Sequence, residues 1–305
     1  MTDPLFFALA QESLNSDQVA LKLETQAQHS QAVQAEKERL NRLLLQMRSN
    51  VRPESGTSST EFSQSMAHLP KSGSQLYSQR LAALRAGQIH SQMPAHSFRA
   101  SWIRASRQPT YEQWRTLLAW EAAVVARGQS DRLGVMLGDS LSLWFPSDRL
   151  PQTRIWLNQS ISGETTSHIL QRLSDFSVTQ PRVIYIMAGI NDLKHGASDA
   201  RILWNFRQIL SRLRHSHPQT QIVIQSILPT RTVALSRVRI GQLNQQLAAI
   251  AQQNGAFYLD VYSHMADKDG YLRADLTTDG LHLNARGYAA WQVVLKQAEL
   301  QIARG

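Results

Sequence analysis

Four short blocks carry residues whose chemistry fits together. They are Gly138-Asp139-Ser140-Leu141-Ser142, Ser160-Ile161-Ser162-Gly163, Gly189-Ile190-Asn191-Asp192 and Asp279-Gly280-Leu281-His282. A serine hydroxyl becomes a useful nucleophile when a neighbouring base takes its proton, and histidine is the side chain suited to that near neutral pH. An acid three residues ahead of a histidine can hydrogen-bond the Nδ1–H and hold the ring in one tautomer. Asn191 offers a neutral side-chain NH₂, and Gly163 can present a bare backbone N–H, both suited to a developing oxyanion. Acyl transfer needs a nucleophile, a base and preorganised donors, and the chain supplies each. Every block also has an ordinary structural explanation. Gly-Asp-Ser suits a turn after a strand, Gly163 a plain strand-to-helix turn, and Asn-Asp a helix cap.

The elements around these blocks place them at one edge. From Asp131 onward, short apolar runs at 132–138, 154–157, 182–188, 221–228 and 256–262 alternate with helical patterns at about 165–176, 199–215, 236–253 and 285–303. Leu133, Val135, Met136 and Leu137 suit a strand buried on both faces. Strands alternating with helices predict a parallel sheet covered on both sides. Right-handed crossovers then bring all strand carboxyl ends, and all four blocks, to the edge where such sheets bind ligands. Ahead of the first strand, Pro109 to Gly128 reads as a helix. Thr110 and Gln113 have capping-box spacing, and Trp114, Leu117, Leu118 and Val125 form its apolar stripe.

In this order the blocks resemble those of the SGNH (GDSL-type) esterase/lipase superfamily. The second block, with Ser160 before Ile161-Ser162-Gly163, is most similar to the bacterial thioesterase I/lysophospholipase L1 type. The resemblance covers roughly residues 131–300 and says nothing of residues 1–108. It implies a three-layer α/β/α sandwich with a five-stranded, flavodoxin-like parallel sheet, here preceded by a helical N-terminal extension. It implies Ser140 as nucleophile, His282 as general base and then acid, and Asp279 as orienting carboxylate. The N–H groups of Ser140 and Gly163 with the Asn191 side chain would make the oxyanion hole. Leu283 stands where many members have proline after the histidine. The Gly-x-Ser-x-Gly elbow of the α/β-hydrolases is not met, since its fifth position is Ser142.

The implied activity is hydrolysis of a small-molecule ester or thioester through an acyl-enzyme. A competing expectation, from a different class, is a catalytically inert scaffold or binding protein that works through its N-terminal helices. The complete set of catalytic residue types favours the enzyme. Leu141, Trp144 and Phe145 are candidates to line an acyl pocket; with Leu143 they equally suit the core face of a short helix. Lys194, His195 and Arg231 follow strand ends and fit either the rim of the site or solvated loops.

Composition narrows the rest. With no cysteine there is no disulfide, thiolate nucleophile or cysteine-ligated metal. His168, His195, His215, His217 and His264 lack metal-ligand spacing, and no phosphate-cradling glycine motif occurs, so neither metal nor cofactor is expected. The net charge of +9 is spread over both halves without a dense basic block, and no nucleic-acid partner is expected. No apolar stretch approaches the roughly 18 residues of a membrane span. Pro4 to Ala10 lacks the basic flank of a signal peptide, and the expectation is a cytoplasmic protein.

Domain organisation is expected to run in three parts: an N-terminal helix over 1–50, a linker and irregular or helical segment over 51–108, and the hydrolase domain over 109–305. Val33, Leu40, Leu44 and Met47 form a short stripe suited to a coiled-coil seam and self-association. A helix is expected at about 75–86. Lys71, Arg80, Arg85, Arg99, Arg104 and Arg107 lie in an acid-free stretch between Glu61 and Glu112; such a strip could touch anionic lipid or nucleic acid, and the favoured expectation is a solvated, poorly ordered arm.

Overall fold

The computed structural model describes residues 69–128 and 130–302. The helix over 1–50, its seam and the first part of the linker lie outside the described residues. Apart from short helical turns such as Arg99–Trp102 and Tyr262–Met265, the elements in chain order are α1 (Gly73–Arg85), α2 (Tyr111–Arg127), β1 (Leu133–Gly138), α3 (Ser140–Leu143), β2 (Ile155–Asn158), α4 (Thr166–Gln171), β3 (Val183–Met187), α5 (Ile190–Lys194), α6 (Asp199–Ser216), β4 (Gln221–Gln225), α7 (Arg237–Gln253), β5 (Phe257–Leu259) and α8 (Ala285–Ile302). The five strands form one sheet in the order β2-β1-β3-β4-β5, and every neighbouring pair is parallel. This is the flavodoxin-like order, in which the chain reverses direction across the sheet between β1 and β3.

Alternation along the strands sends side chains to two cores. Val135, Leu137, Ile184, Ile186, Ile222 and Ile224 face one side, where Ile202, Phe206 and Ile209 of α6 and Leu243 and Leu247 of α7 cover them. Met136, Tyr185, Met187 and Val223 face the other, against Trp291, Val294 and Leu295 of α8. Both faces are buried, which is why the strands read as continuous apolar runs. The fourth and fifth strands are shorter than their runs. Residues beyond Gln225 leave the ladder, and β5 keeps only three residues at the sheet edge. The helix expected at 165–176 is an α-helical turn and a half followed by a 3₁₀ turn over Leu173–Phe176. Among the described residues no helix is long and apolar enough to cross a membrane.

Among the described residues α1 and α2 precede the first strand, with a short helical turn over Arg99–Trp102 between them. The Thr110–Gln113 capping box forms as expected, with the Gln113 N–H donating to Thr110 Oγ1 (3.2 Å) and the Thr110 N–H to Gln113 Oε1 (2.8 Å). A third core cluster joins Leu76 and Leu84 of α1 to Trp114, Leu117 and Leu118 of α2, and both to Leu143 and Ile161. Here the solvated-arm expectation is corrected for Arg80. It is 1% exposed, because its guanidinium pairs with Glu121 of α2, itself 2% exposed. Composition shows an acid-free stretch, but the partner lies 41 residues away in sequence.

Candidate active site

The crevice between β1 and β3 receives the first and third blocks, since Ser140 follows β1 and Asn191 follows β3. Gly138 ends β1 because nothing larger fits. A Cβ there would collide with the Met187 carbonyl oxygen of β3 and sit 2.8 Å from Ser142 Oγ. The chain can therefore turn sharply into α3, whose first residue is Ser140. Asp139 caps this helix by accepting the Leu141 N–H at 2.9 Å. The Ser140 N–H lies in the first turn, where no intrahelical acceptor exists.

Ser140 Oγ stands 3.3 Å from His282 Nε2, and His282 Nδ1 stands 2.7 Å from Asp279 Oδ2. A carboxylate only accepts, so the proton belongs on Nδ1 and a lone pair faces the serine hydroxyl. The other carboxylate oxygen, Oδ1, accepts the N–H groups of His282 (2.7 Å) and Leu281 (2.9 Å). Partial burial alone would raise the Asp279 pKa. These hydrogen bonds and the adjacent imidazole outweigh it and hold the carboxyl at about 2. The pair is open to solvent, with side chains 42% and 53% exposed. Its loop is fastened to the chain after β4. The Gly280 carbonyl accepts from the Arg231 N–H (2.8 Å) and Thr230 Oγ1 (2.9 Å).

The second block bonds to the first, the Ile161 N–H donating to the Gly138 carbonyl at 3.1 Å, and the third block meets the second. The turn Ile161–Glu164 closes through the Glu164 N–H on the Ile161 carbonyl, and Gly163 takes the left-handed position with φ +82°. Nothing lies within 4 Å of where a Gly163 side chain would begin, so that face of the turn is clear of protein atoms. One Asn191 Nδ2 hydrogen goes to the Glu164 carbonyl at 3.0 Å, which fixes the amide and leaves its second hydrogen for another acceptor. A helix cap is the ordinary reading of an Asn-Asp pair after a strand, but Asp192 acts at long range. It accepts from the Thr166 N–H (2.8 Å) and Thr166 Oγ1 (2.6 Å), and so ties the third block to the start of α4.

Leu141 and Phe145 lie in the core, 2% and 4% exposed. Spaced four apart, they fall together on α8, where Phe145 packs edge-on against Tyr288 (5.5 Å) and Trp291 (5.0 Å). Of the three acyl-pocket candidates Trp144 alone keeps partial exposure. Lys194 and His195 are exposed, and the Arg231 guanidinium turns to Asp267 and the Leu272 carbonyl.

Several supporting residues had no signal in the sequence. Glu164 is buried against Arg172, which also donates to the Gln159 carbonyl at 2.6 Å, and Tyr111 of α2 donates to Glu164 Oε1 at 3.1 Å. Asn158, the last residue of β2, donates to the Ser142 carbonyl at 2.8 Å. Asp139 Oδ2 is buried and has no hydrogen-bond partner. Burial raises this carboxyl to about 7, against the opposing pull of the Leu141 N–H and His282.

Comparison with known proteins agrees with this architecture. Platelet-activating factor acetylhydrolase IB subunit alpha1 of Pongo abelii is 26% identical over 170 residues, covering 51% of this chain and 70% of that protein. An N-acylneuraminate cytidylyltransferase of Streptococcus agalactiae serotype III is 30% identical over 149 residues, 48% of this chain and 34% of that one. The crystal structure of a GDSL-like lipase from Bacteroides thetaiotaomicron shares the fold, with a TM-score of 0.51 at 19% identity over 63% of this chain and 98% of that one. The sequence pattern of the GDSL-like lipase/acylhydrolase family matches residues 125–290, more than half of the chain, and the chain belongs to that family.

Proposed function

We propose that the protein hydrolyses carboxylic esters or thioesters through an acyl-enzyme on Ser140. The observation that carries this is the continuous relay from Ser140 Oγ through His282 to Asp279, at 3.3 and 2.7 Å. Ser140 Oγ attacks the acyl carbonyl as its proton passes to His282 Nε2. The oxyanion is met by the N–H groups of Ser140 and Gly163 and by the second hydrogen of Asn191 Nδ2. Collapse of the tetrahedral intermediate expels the alcohol or thiol, which takes the proton from His282. Water then gives a proton to His282 and attacks the acyl carbonyl; as the second tetrahedral intermediate collapses the Ser140 Oγ–acyl bond breaks, His282 returns the proton to Ser140 Oγ, and the acid leaves. Asp279 keeps the Nδ1 proton in place and steadies the imidazolium in both halves.

With Leu141 and Phe145 committed to the core, Trp144 is the remaining aromatic candidate for acyl contact. The name of the acetylhydrolase relative supports beginning with acetyl esters. A fluorophosphonate probe tests the assignment directly. It is expected to label Ser140 with loss of fluoride, and Ser140→Ala is expected to abolish labelling and turnover of short aryl esters. Turnover retained in that variant refutes the assignment. Absence of any labelling in the intact protein would favour the inert scaffold instead.

A further inference from the structure

The family-matched region begins at residue 125, yet a side chain well ahead of it bonds to the residue that holds the nucleophile turn. Arg80 of α1 pairs through Nε with Glu121 Oε1 (2.9 Å) and through Nη2 with Glu121 Oε2. The same Nη2 donates to the Asn158 carbonyl at 2.7 Å. Asn158 in turn grips α3 from below. Its Nδ2 donates to the Ser142 carbonyl (2.8 Å) and, more weakly, to the Leu143 carbonyl (3.4 Å), while its Oδ1 accepts the Ser160 N–H (3.1 Å). One residue therefore links the carbonyl end of the helix that Ser140 begins to the start of the Ser160–Gly163 turn. Apolar contacts run in parallel, since Leu76 and Leu84 of α1 share a cluster with Leu143 and Ile161.

We propose that Arg80 is a positioning residue for Ser140, acting through Asn158 to set the seat of α3. The assignment rests on Ser140 being the nucleophile. Ser140 Oγ is 3.3 Å from His282 Nε2, so a small shift of the four-residue helix moves the hydroxyl out of reach of its base. Displacements of about 1 Å can cost about 100-fold in rate. A charged, bidentate anchor is rigid in a way a single-point donor is not, because the guanidinium plane is locked by Glu121 while the second Nη2 hydrogen points at the Asn158 carbonyl.

Three full-length variants test this. Arg80→Lys keeps the charge beside Glu121 but cannot serve both acceptors in the same fork. Arg80→Met with Glu121→Met removes both charges, so no unpaired buried ion is left. Asn158→Ala keeps the ion pair and removes the grip on α3. For each, the rate of fluorophosphonate labelling of Ser140, with kcat and KM on an acetyl aryl ester, is measured well below that variant's melting temperature. Labelling and kcat are expected to fall about 10-fold or more with little change in KM. A purely structural Arg80 would lower the melting temperature and leave the rate in the folded state unchanged. Wild-type labelling rates in any folded variant overturn the proposal. Failure of the wild-type protein itself to label at Ser140 would instead refute the hydrolase assignment on which it rests.

Discussion

Replacing Asp279 by asparagine probes the relay more sharply than deleting it. Asp279 Oδ1 accepts two backbone N–H groups, from His282 at 2.7 Å and Leu281 at 2.9 Å. In Asp279→Asn the amide oxygen must stay there, because an NH₂ in that place would face two donors. The new NH₂ is thereby forced into the Oδ2 position, 2.7 Å from His282 Nδ1. Nδ1 must then accept, the imidazole proton moves to Nε2, and the lone pair facing Ser140 is lost. The wrong tautomer should cost about 10⁴-fold in kcat, with the loop still in place. NMR of the histidine nitrogens would verify the tautomer, a crystal structure the position of the loop, and stopped-flow hydrolysis of an aryl acetate gives the rate. A loss of less than about 10-fold, with the loop unmoved, would refute the reasoning. The same variant should respond differently to acid. The wild-type carboxyl sits at about 2 in the folded state, below its unfolded value of about 3.9. It thus adds stability that is present above pH 4 and is lost as pH falls through 2, and asparagine removes that dependence.

Other perturbations separate the remaining parts. Asn191→Ala should lower kcat by about 10²–10³-fold with little change in KM, and a loss confined to KM would argue against an oxyanion donor. Asp139→Asn keeps the acceptor for the Leu141 N–H and removes a buried carboxylate whose Oδ2 has no partner. Because that carboxyl is raised to about 7, the wild type loses stability as pH climbs from about 4 to 7. The melting temperature of the variant should therefore gain on the wild type across that window and run parallel above it; a constant difference would show the group is not titrating there. A chain beginning at residue 109 loses the Arg80–Glu121 pair and strips Leu76 and Leu84 from their cluster with Leu117 and Leu118, which should lower the midpoint of a denaturant titration. Equal midpoints for the two lengths would mean α1 is a detachable arm.

The blocks were legible because each needs a particular residue type at a particular backbone position. Gly138 has no room for a Cβ and Gly163 has φ +82°, so the local chain spells out the turns that hold the site. Asp279 and His282 are three residues apart and bond to each other and to their own backbone, so that contact is local. Strand and helix order was equally readable, since a doubly covered parallel sheet requires apolar runs separated by amphipathic helices. Where the runs overstate β4 and β5, the cause is apolar residues that continue into the core after the ladder has ended.

The order of the four blocks along the chain, and the family resemblance it carries, singled out Ser140, Gly163, Asn191 and His282 as a candidate set from sequence alone. Only the tertiary structure decided what holds them. Arg80 with Glu121, Glu164 with Arg172, Asp192 with Thr166 and Asn158 with the Ser142 carbonyl each join separate elements. It also sent Leu141 and Phe145 to the core against α8 rather than to a substrate. A buried polar group must find a partner wherever the fold supplies one, and the sequence records the group without recording the partner.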